Sequence, residues 1–193
     1  MRIEGQTSYE ELLSLHDAAR HVGSHQAIVE IGSYRGRSTV ALALGALAGT
    51  CRRVYAVDPH VDFIGPCGGH YGPVDQQALY ANLARFGVGH VVFAVALPGK
   101  SAAAGWPGPP VGLLWIDGDH RYESVRADLA AWYPHLAADG LIGFHDVDYA
   151  GVATVIGELV ASGEFQEVCA AGRLKLFART VLFARTAAKG VRE

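Results

Sequence analysis

The residues of this chain best suited to chemistry sit in two short runs, Trp115-Ile-Asp-Gly-Asp-His-Arg-Tyr-Glu-Ser124 and Gly143-Phe-His-Asp-Val-Asp148. Each follows an apolar stretch that reads as a strand, so Asp117 and the His145-Asp146 pair fall on adjacent strand tips facing one crevice. Two carboxylates and an imidazole, with positions left open, suit a divalent cation. Mg²⁺ is the default for mostly oxygen ligation, and the imidazole admits Mn²⁺, Fe²⁺ or Co²⁺. Acids at strand tips also cap helices, and Asp119 or Ser124 fits that plainer role.

A second constellation lies earlier in Ile28-Val-Glu-Ile-Gly-Ser-Tyr-Arg-Gly-Arg-Ser-Thr39 and Val54-Tyr-Ala-Val-Asp58. A strand runs into a glycine turn, Gly32 to Gly36, and a helix opens at Ser38-Thr39. Glycines let backbone approach a ligand where a side chain would collide. Asp58, at the tip of the next strand, is placed to accept hydrogen bonds from a ribose diol. The middle glycine of a dinucleotide fingerprint is missing, because Ser33, Tyr34 and Arg35 fill the turn. Glu30 would repel a diphosphate but could pair with an ammonium. S-adenosylmethionine, with adenosine, a sulfonium and an amino-acid tail but no phosphate, therefore suits these residues better than NAD.

These groups need a frame that brings strand tips together. At 193 residues, the chain has the length of one domain with a substantial core. Half of it is hydrophobic and 18% is charged, as in ordinary globular proteins. A net charge of −3 makes no electrostatic case for nucleic acid. Cys51, Cys67 and Cys169 are too widely spaced for a metal knuckle or a disulfide framework, and read as reduced thiols. No signal-like or membrane-length apolar segment is evident, so a cytoplasmic location and no membrane partner are expected.

Apolar runs alternate with helical patterns. The expected order is helix 9–22, strand 28–31, helix 38–48, strand 54–57, loop 59–74, helix 76–86 and strand 91–95. Then come loop 97–110, strand 111–116, helix 124–136, strand 141–144, helix 152–161, and two strands near 165–169 and within 174–183. Such alternation indicates an α/β fold with a parallel sheet covered on both faces. The last two strands, joined by Ala170-Ala-Gly-Arg173, read as a hairpin with an antiparallel member. A short Phe-Ala-Arg-Thr echo recurs at 177–180 and 183–186.

The run from Leu114 to Asp146, with Ile-Asp-Gly-Asp-His, Tyr-Glu-Ser and Gly-Leu-Ile-Gly-Phe-His-Asp, resembles the class I S-adenosylmethionine-dependent methyltransferases. More narrowly it resembles the family-24 small-molecule O-methyltransferases, relatives of the catechol, caffeoyl-CoA and macrolide-sugar enzymes. Glu30-Ile-Gly-Ser-Tyr-Arg-Gly36 resembles that group's glycine motif. The resemblance covers roughly residues 25–180. It implies a Rossmann-like sheet of seven strands ordered 3-2-1-4-5-7-6, in a single domain with a cap helix in residues 1–25 and a core over 26–185.

It also implies roles. Glu30, Gly32, Ser33, Tyr34 and Gly36, with Ser38 at the helix start, would border the cofactor's methionine part. Asp58 would take the ribose, Leu97-Pro98 would flank adenine, and Asp117 would border both cofactor and metal. Asp117, His145 and Asp146 would hold Mg²⁺ or Mn²⁺, although His145 stands where metal-dependent members carry an acid. His120 falls at the position of a basic lysine in catechol-type enzymes and could accept a hydroxyl proton, with His145 as the alternative base. The reaction would be methyl transfer to a hydroxyl of a phenol, sugar or natural-product intermediate. His60 and His70, with Tyr71, could shape the acceptor pocket, but histidines in a glycine-rich loop read as exposed; loop 59–74 reads as a lid over the acceptor. A homodimer, metal-independent N- or O-methylation, and a non-catalytic nucleoside binder remain open.

Overall fold

Branched aliphatic residues favour a strand buried on both faces. The run Ala27–Ile31 forms one, β1, with every residue buried. The computed structural model describes residues 3–51, 53–65 and 68–180; Arg52, Cys67 and the second copy of the Phe-Ala-Arg-Thr echo lie outside them. Helix α1 (Tyr9–Arg20) precedes β1, and α2 (Arg37–Ala48), β2 (Val54–Val57), α3 (Pro73–Arg85) and β3 (Val92–Val95) follow. Then come α4 (Gly99–Ala104), β4 (Val111–Ile116), α5 (Tyr122–Trp132), β5 (Leu136–Phe144), α6 (Ala150–Ala161), β6 (Phe165–Ala171) and β7 (Leu174–Arg179).

The main sheet has seven strands in the order 3-2-1-4-5-7-6. Strands β1 to β5 are parallel, and β7 lies antiparallel between β5 and β6. This is the Rossmann-like α/β arrangement expected from the alternation of elements and the resemblance together.

Boundaries moved in the connections. The stretch expected as loop 59–74 contains a small antiparallel hairpin, Phe63–Ile64 paired with His70–Tyr71. Helix α3 opens at Pro73, because proline suits a first helical turn. Helix α5 stops at Trp132, and Pro134 lies in the single 3₁₀ turn Tyr133–His135 that follows. Strand β5 then starts earlier than expected, with a register shift between the pairs Val111–Leu136 and Leu113–Leu141.

Strand parity sorts side chains to the two faces. Ile28, Leu113 and Trp115 pack with Leu15 of α1, Leu42 of α2 and Leu79 of α3. Val29, Leu114 and Ile116 pack with Ala102 of α4, Trp132 of α5 and Val155 of α6. Glu30 shares the parity of Ile28, and Thr39 of α2 meets it on that side. Among the described residues, no helix is long and apolar enough to cross a membrane.

Candidate active site

Parallel strands deliver their C-terminal tips to one edge of the sheet, and here those tips open into a cleft of about 840 Å³. Its cofactor-like half forms where β1 turns into α2. Gly32 has φ 91°, and a Cβ there would collide with the backbone of Asp117 and Gly118. Only glycine lets β1 and β4 end this close together. Gly36, at φ 84°, lies against Leu79 of α3 rather than in the cleft wall.

Asp58 holds the turn in place. Its Oδ2 accepts the Tyr34 N–H at 2.9 Å, and its Oδ1 accepts the His60 N–H at 2.9 Å. Both donors have left-handed backbone, with φ 46° at Tyr34 and 47° at His60. Such conformations persist in non-glycine residues only where the surroundings impose them.

Glu30 lies beneath the turn, fully buried, and is hydrogen-bonded by Thr39. Burial raises its pKa to about 8, against the hydrogen bonds of Ser38 and Thr39. Its Oε1 and the Ser33 hydroxyl have no protein partner. Further along, Pro98, Gly99 and Asp128 of α5 line the cleft. Burial, followed by the charge of Asp119, raises the Asp128 pKa to about 6. Leu97 is 45% exposed and lies outside the lining.

The other half sits at the tips of β4 and β5. His120 Nε2 is 2.7 Å from Asp146 Oδ2, and its ring stacks on Tyr149 with centroids 4.7 Å apart. Its Nδ1 has no partner. Burial lowers the His120 pKa despite the attraction of Asp117, so the ring is neutral at neutral pH. Asp146 takes a left-handed backbone, φ 56°, and its other oxygen pairs with Arg173 from the β6–β7 turn. Donor atoms of Asp117, His120 and Asp146 lie within 4.8 Å of one another. This set differs by one member from the expected one, with His120 in the place of His145.

His145 lies behind these groups, 2% exposed. Its Nδ1 is 3.2 Å from Asp117 Oδ1, and its Nε2 is 3.4 Å from Glu11 Oε2 of α1. Burial opposes its charge, but the hydrogen bond and charge of Asp117, aided by Glu11, prevail and raise its pKa. The ring thus lies between two carboxylates, Asp117 and Glu11, whose charges favour its protonated form.

Of the residues singled out from sequence, Gly32, Ser33, Tyr34, Ser38, Asp58, Asp117, His120, His145 and Asp146 line the cleft. Glu30, Gly36 and Leu97 do not, although the first two support the turn from behind. Glu11 and Arg173 escaped sequence reading, and His60, expected to be exposed, is only 7% exposed because its ring is held between the carbonyls of Tyr34 and Asp58. Glu11 belongs to a Ser8–Glu11 capping box, a local pattern that accounts for it without a site. The wall formed by Glu4, Gln6 and Thr7 was also missed; Arg37 secures it through the carbonyls of Ile3 and Thr7 at 2.7 and 2.6 Å.

A family model described as a methyltransferase domain matches residues 29–147, more than half of the chain. The chain is 31% identical over 134 residues to uncharacterized protein y4gI of Sinorhizobium fredii (strain NBRC 101917 / NGR234), covering 66% of this chain. It spans 14% of that relative's length. The structure of cofactor-bound Rv0187 from MTB aligns at a TM-score of 0.69 and 22% identity, over 92% of this chain and 84% of that one. The O-methyltransferase TomG of Streptomyces achromogenes, involved in tomaymycin synthesis and solved with SAM, aligns at 0.67 and 16% identity, over 91% and 82%. At these identities the solved structures establish a shared fold.

Proposed function

Because the chain belongs to the methyltransferase-domain family, we propose that it uses S-adenosylmethionine to methylate a hydroxyl of a small molecule. One observation carries the choice of chemistry: a neutral His120, oriented by Asp146 at 2.7 Å, stands in the same cleft as Asp58 and the glycine turn.

The residues suit the cofactor. Asp58 faces the cleft for a diol, and the Ser33 hydroxyl, which also lines the cleft, has no protein partner and is free for the cofactor's amino-acid tail. TomG, which shares the fold, was solved with SAM. When bound, the cofactor supplies an electrophilic sulfonium methyl, so a C–O bond forms as the C–S bond breaks.

The chain's own contribution is orientation and proton removal. With Nε2–H donated to Asp146, the His120 lone pair sits on Nδ1, the buried nitrogen without a protein partner, and a hydroxyl that reaches it would give up its proton there. Stacking on Tyr149 fixes the ring plane. The cleft walls hold two reactants in line, which supplies most of the acceleration. His145 lies against Asp117 and Glu11, and Arg173 pairs with Asp146, which holds these acids in place around the ring of His120.

A second reading rests on the convergence of Asp117, His120 and Asp146 within 4.8 Å. These two carboxylates and one imidazole suit a divalent cation, which would stabilise negative charge on the acceptor oxygen. His120 cannot be ligand and base at once, so EDTA discriminates. Calorimetric titration with S-adenosylhomocysteine, followed by acceptor screening with and without EDTA, tests the reading. Micromolar binding lost in Asp58→Ala supports it; no binding under any condition overturns it.

A further inference from the structure

The loop that follows Asp58 divides sharply at one residue. Val61 is 60% exposed and Ile64 64%, whereas His60 is 7% exposed. The His60 ring is sewn between two segments of the cleft. Its Nε2 lies 3.0 Å from the Tyr34 carbonyl oxygen, and its Nδ1 lies 3.0 Å from the Asp58 carbonyl oxygen. Carbonyl oxygens only accept, so both contacts are hydrogen bonds only when both ring nitrogens carry hydrogens. The Asp58 carboxylate, 3.8 Å from Nδ1, is the anion that accompanies such a ring.

The circuit closes on itself. The Asp58 carboxylate accepts the backbone N–H groups of Tyr34 and His60, and the His60 ring returns to the carbonyls of Tyr34 and Asp58. Tyr34 and His60 keep left-handed backbone, with φ 46° and 47°. A ring bonded at both ends supplies the constraint that such backbone requires.

We propose that His60 is a positioning residue of the nucleoside pocket, a doubly donating clamp that ties the glycine turn to the tip of β2 and aims the Asp58 carboxylate. The role rests on the reading of the cleft as a cofactor site. Its location also makes His60 the fixed end of the acceptor hairpin, because Phe63 and Tyr71 follow it and Tyr71 meets Tyr34 edge-on at 5.3 Å. Losing the clamp therefore loosens both walls of the cleft.

Two readouts test the clamp. In ¹H–¹⁵N spectra of the wild-type protein near neutral pH, both ring nitrogens of His60 show attached protons, identified by their disappearance in His60→Asn. One protonated nitrogen overturns the clamp whatever the cofactor. By calorimetry, S-adenosylhomocysteine binds His60→Leu about tenfold more weakly than wild type, the loss of two net hydrogen bonds. His60→Asn, which keeps one donor, recovers part of that loss at unchanged melting temperature. Equal affinity in wild type and both variants overturns the proposal while leaving the cofactor reading intact. Absence of binding in wild type overturns the cofactor reading, and the clamp's role in it.

Discussion

Asp146 answers to several neighbours at once: it orients His120, pairs with Arg173 and sits on strained backbone. Replacing His120 by Ala should lower kcat by about 10²–10⁴-fold, the range for a lost general base. Because burial lowers the His120 pKa below its ordinary 6.5, the acid limb of the wild-type rate should fall below that value. A pH–rate profile with an acid limb above it would argue against His120 as base. Glu30 makes a different prediction. Its folded pKa, about 8, exceeds the ordinary 4.5, so the folded state holds the proton more tightly. That stabilisation is complete below the lower value and is lost as pH rises through the higher one. Glu30→Gln keeps a polar amide without ionising. Its stability relative to wild type should therefore rise between these values, by up to about 1.4 kcal/mol per pH unit. Urea unfolding across that window measures the difference, and parallel pH curves would refute the buried acid.

At the scale of elements, α1 is more than a lid on the core. It packs against α2 at Gly45, where a Cβ would lie 2.9 Å from the Ala19 Cβ and collide with the His16 carbonyl. The same helix carries Glu11 to His145 and to the Arg173 N–H at 2.6 Å. Gly45→Val should destabilise the protein by about 1–3 kcal/mol through overpacking, measured by denaturant unfolding. Because the helix would shift as a unit, the His145 environment should change as well, visible in its ring signals. Here sequence reading was partial. A cap helix over 9–22 was legible from its apolar spacing, but its link to the reaction site was not, because Glu11 and Arg173 stand 162 positions apart.

At the scale of the molecule, the sheet order brings together groups from distant parts of the chain. Asp117 follows β4, Asp146 follows β5, and their tips are neighbours because those strands pair in parallel. Asp117→Asn or Asp146→Asn should abolish a saturable Mn²⁺ site observed by electron paramagnetic resonance, if the cation reading holds. An unchanged Mn²⁺ isotherm in both variants would sink that reading and leave His120 as the base. Loss of S-adenosylhomocysteine binding in Asp58→Ala tests the other half of the cleft independently.

Local patterning settled which segments become strands of the main sheet, where the glycine turn falls and which acids sit at strand tips, but not the small hairpin in loop 59–74. Those features depend on side-chain period, backbone freedom and nearby neighbours. The sheet order followed from the resemblance carried by the Leu114–Asp146 run and the glycine motif. Tertiary structure alone decided that His60 is buried between two carbonyls and that His145 is buried behind Asp117, with its pKa raised. It likewise decided that His120 completes the cluster at the cleft. The state of a titratable ring depends on burial and on partners brought from other elements, and a linear sequence carries neither distance.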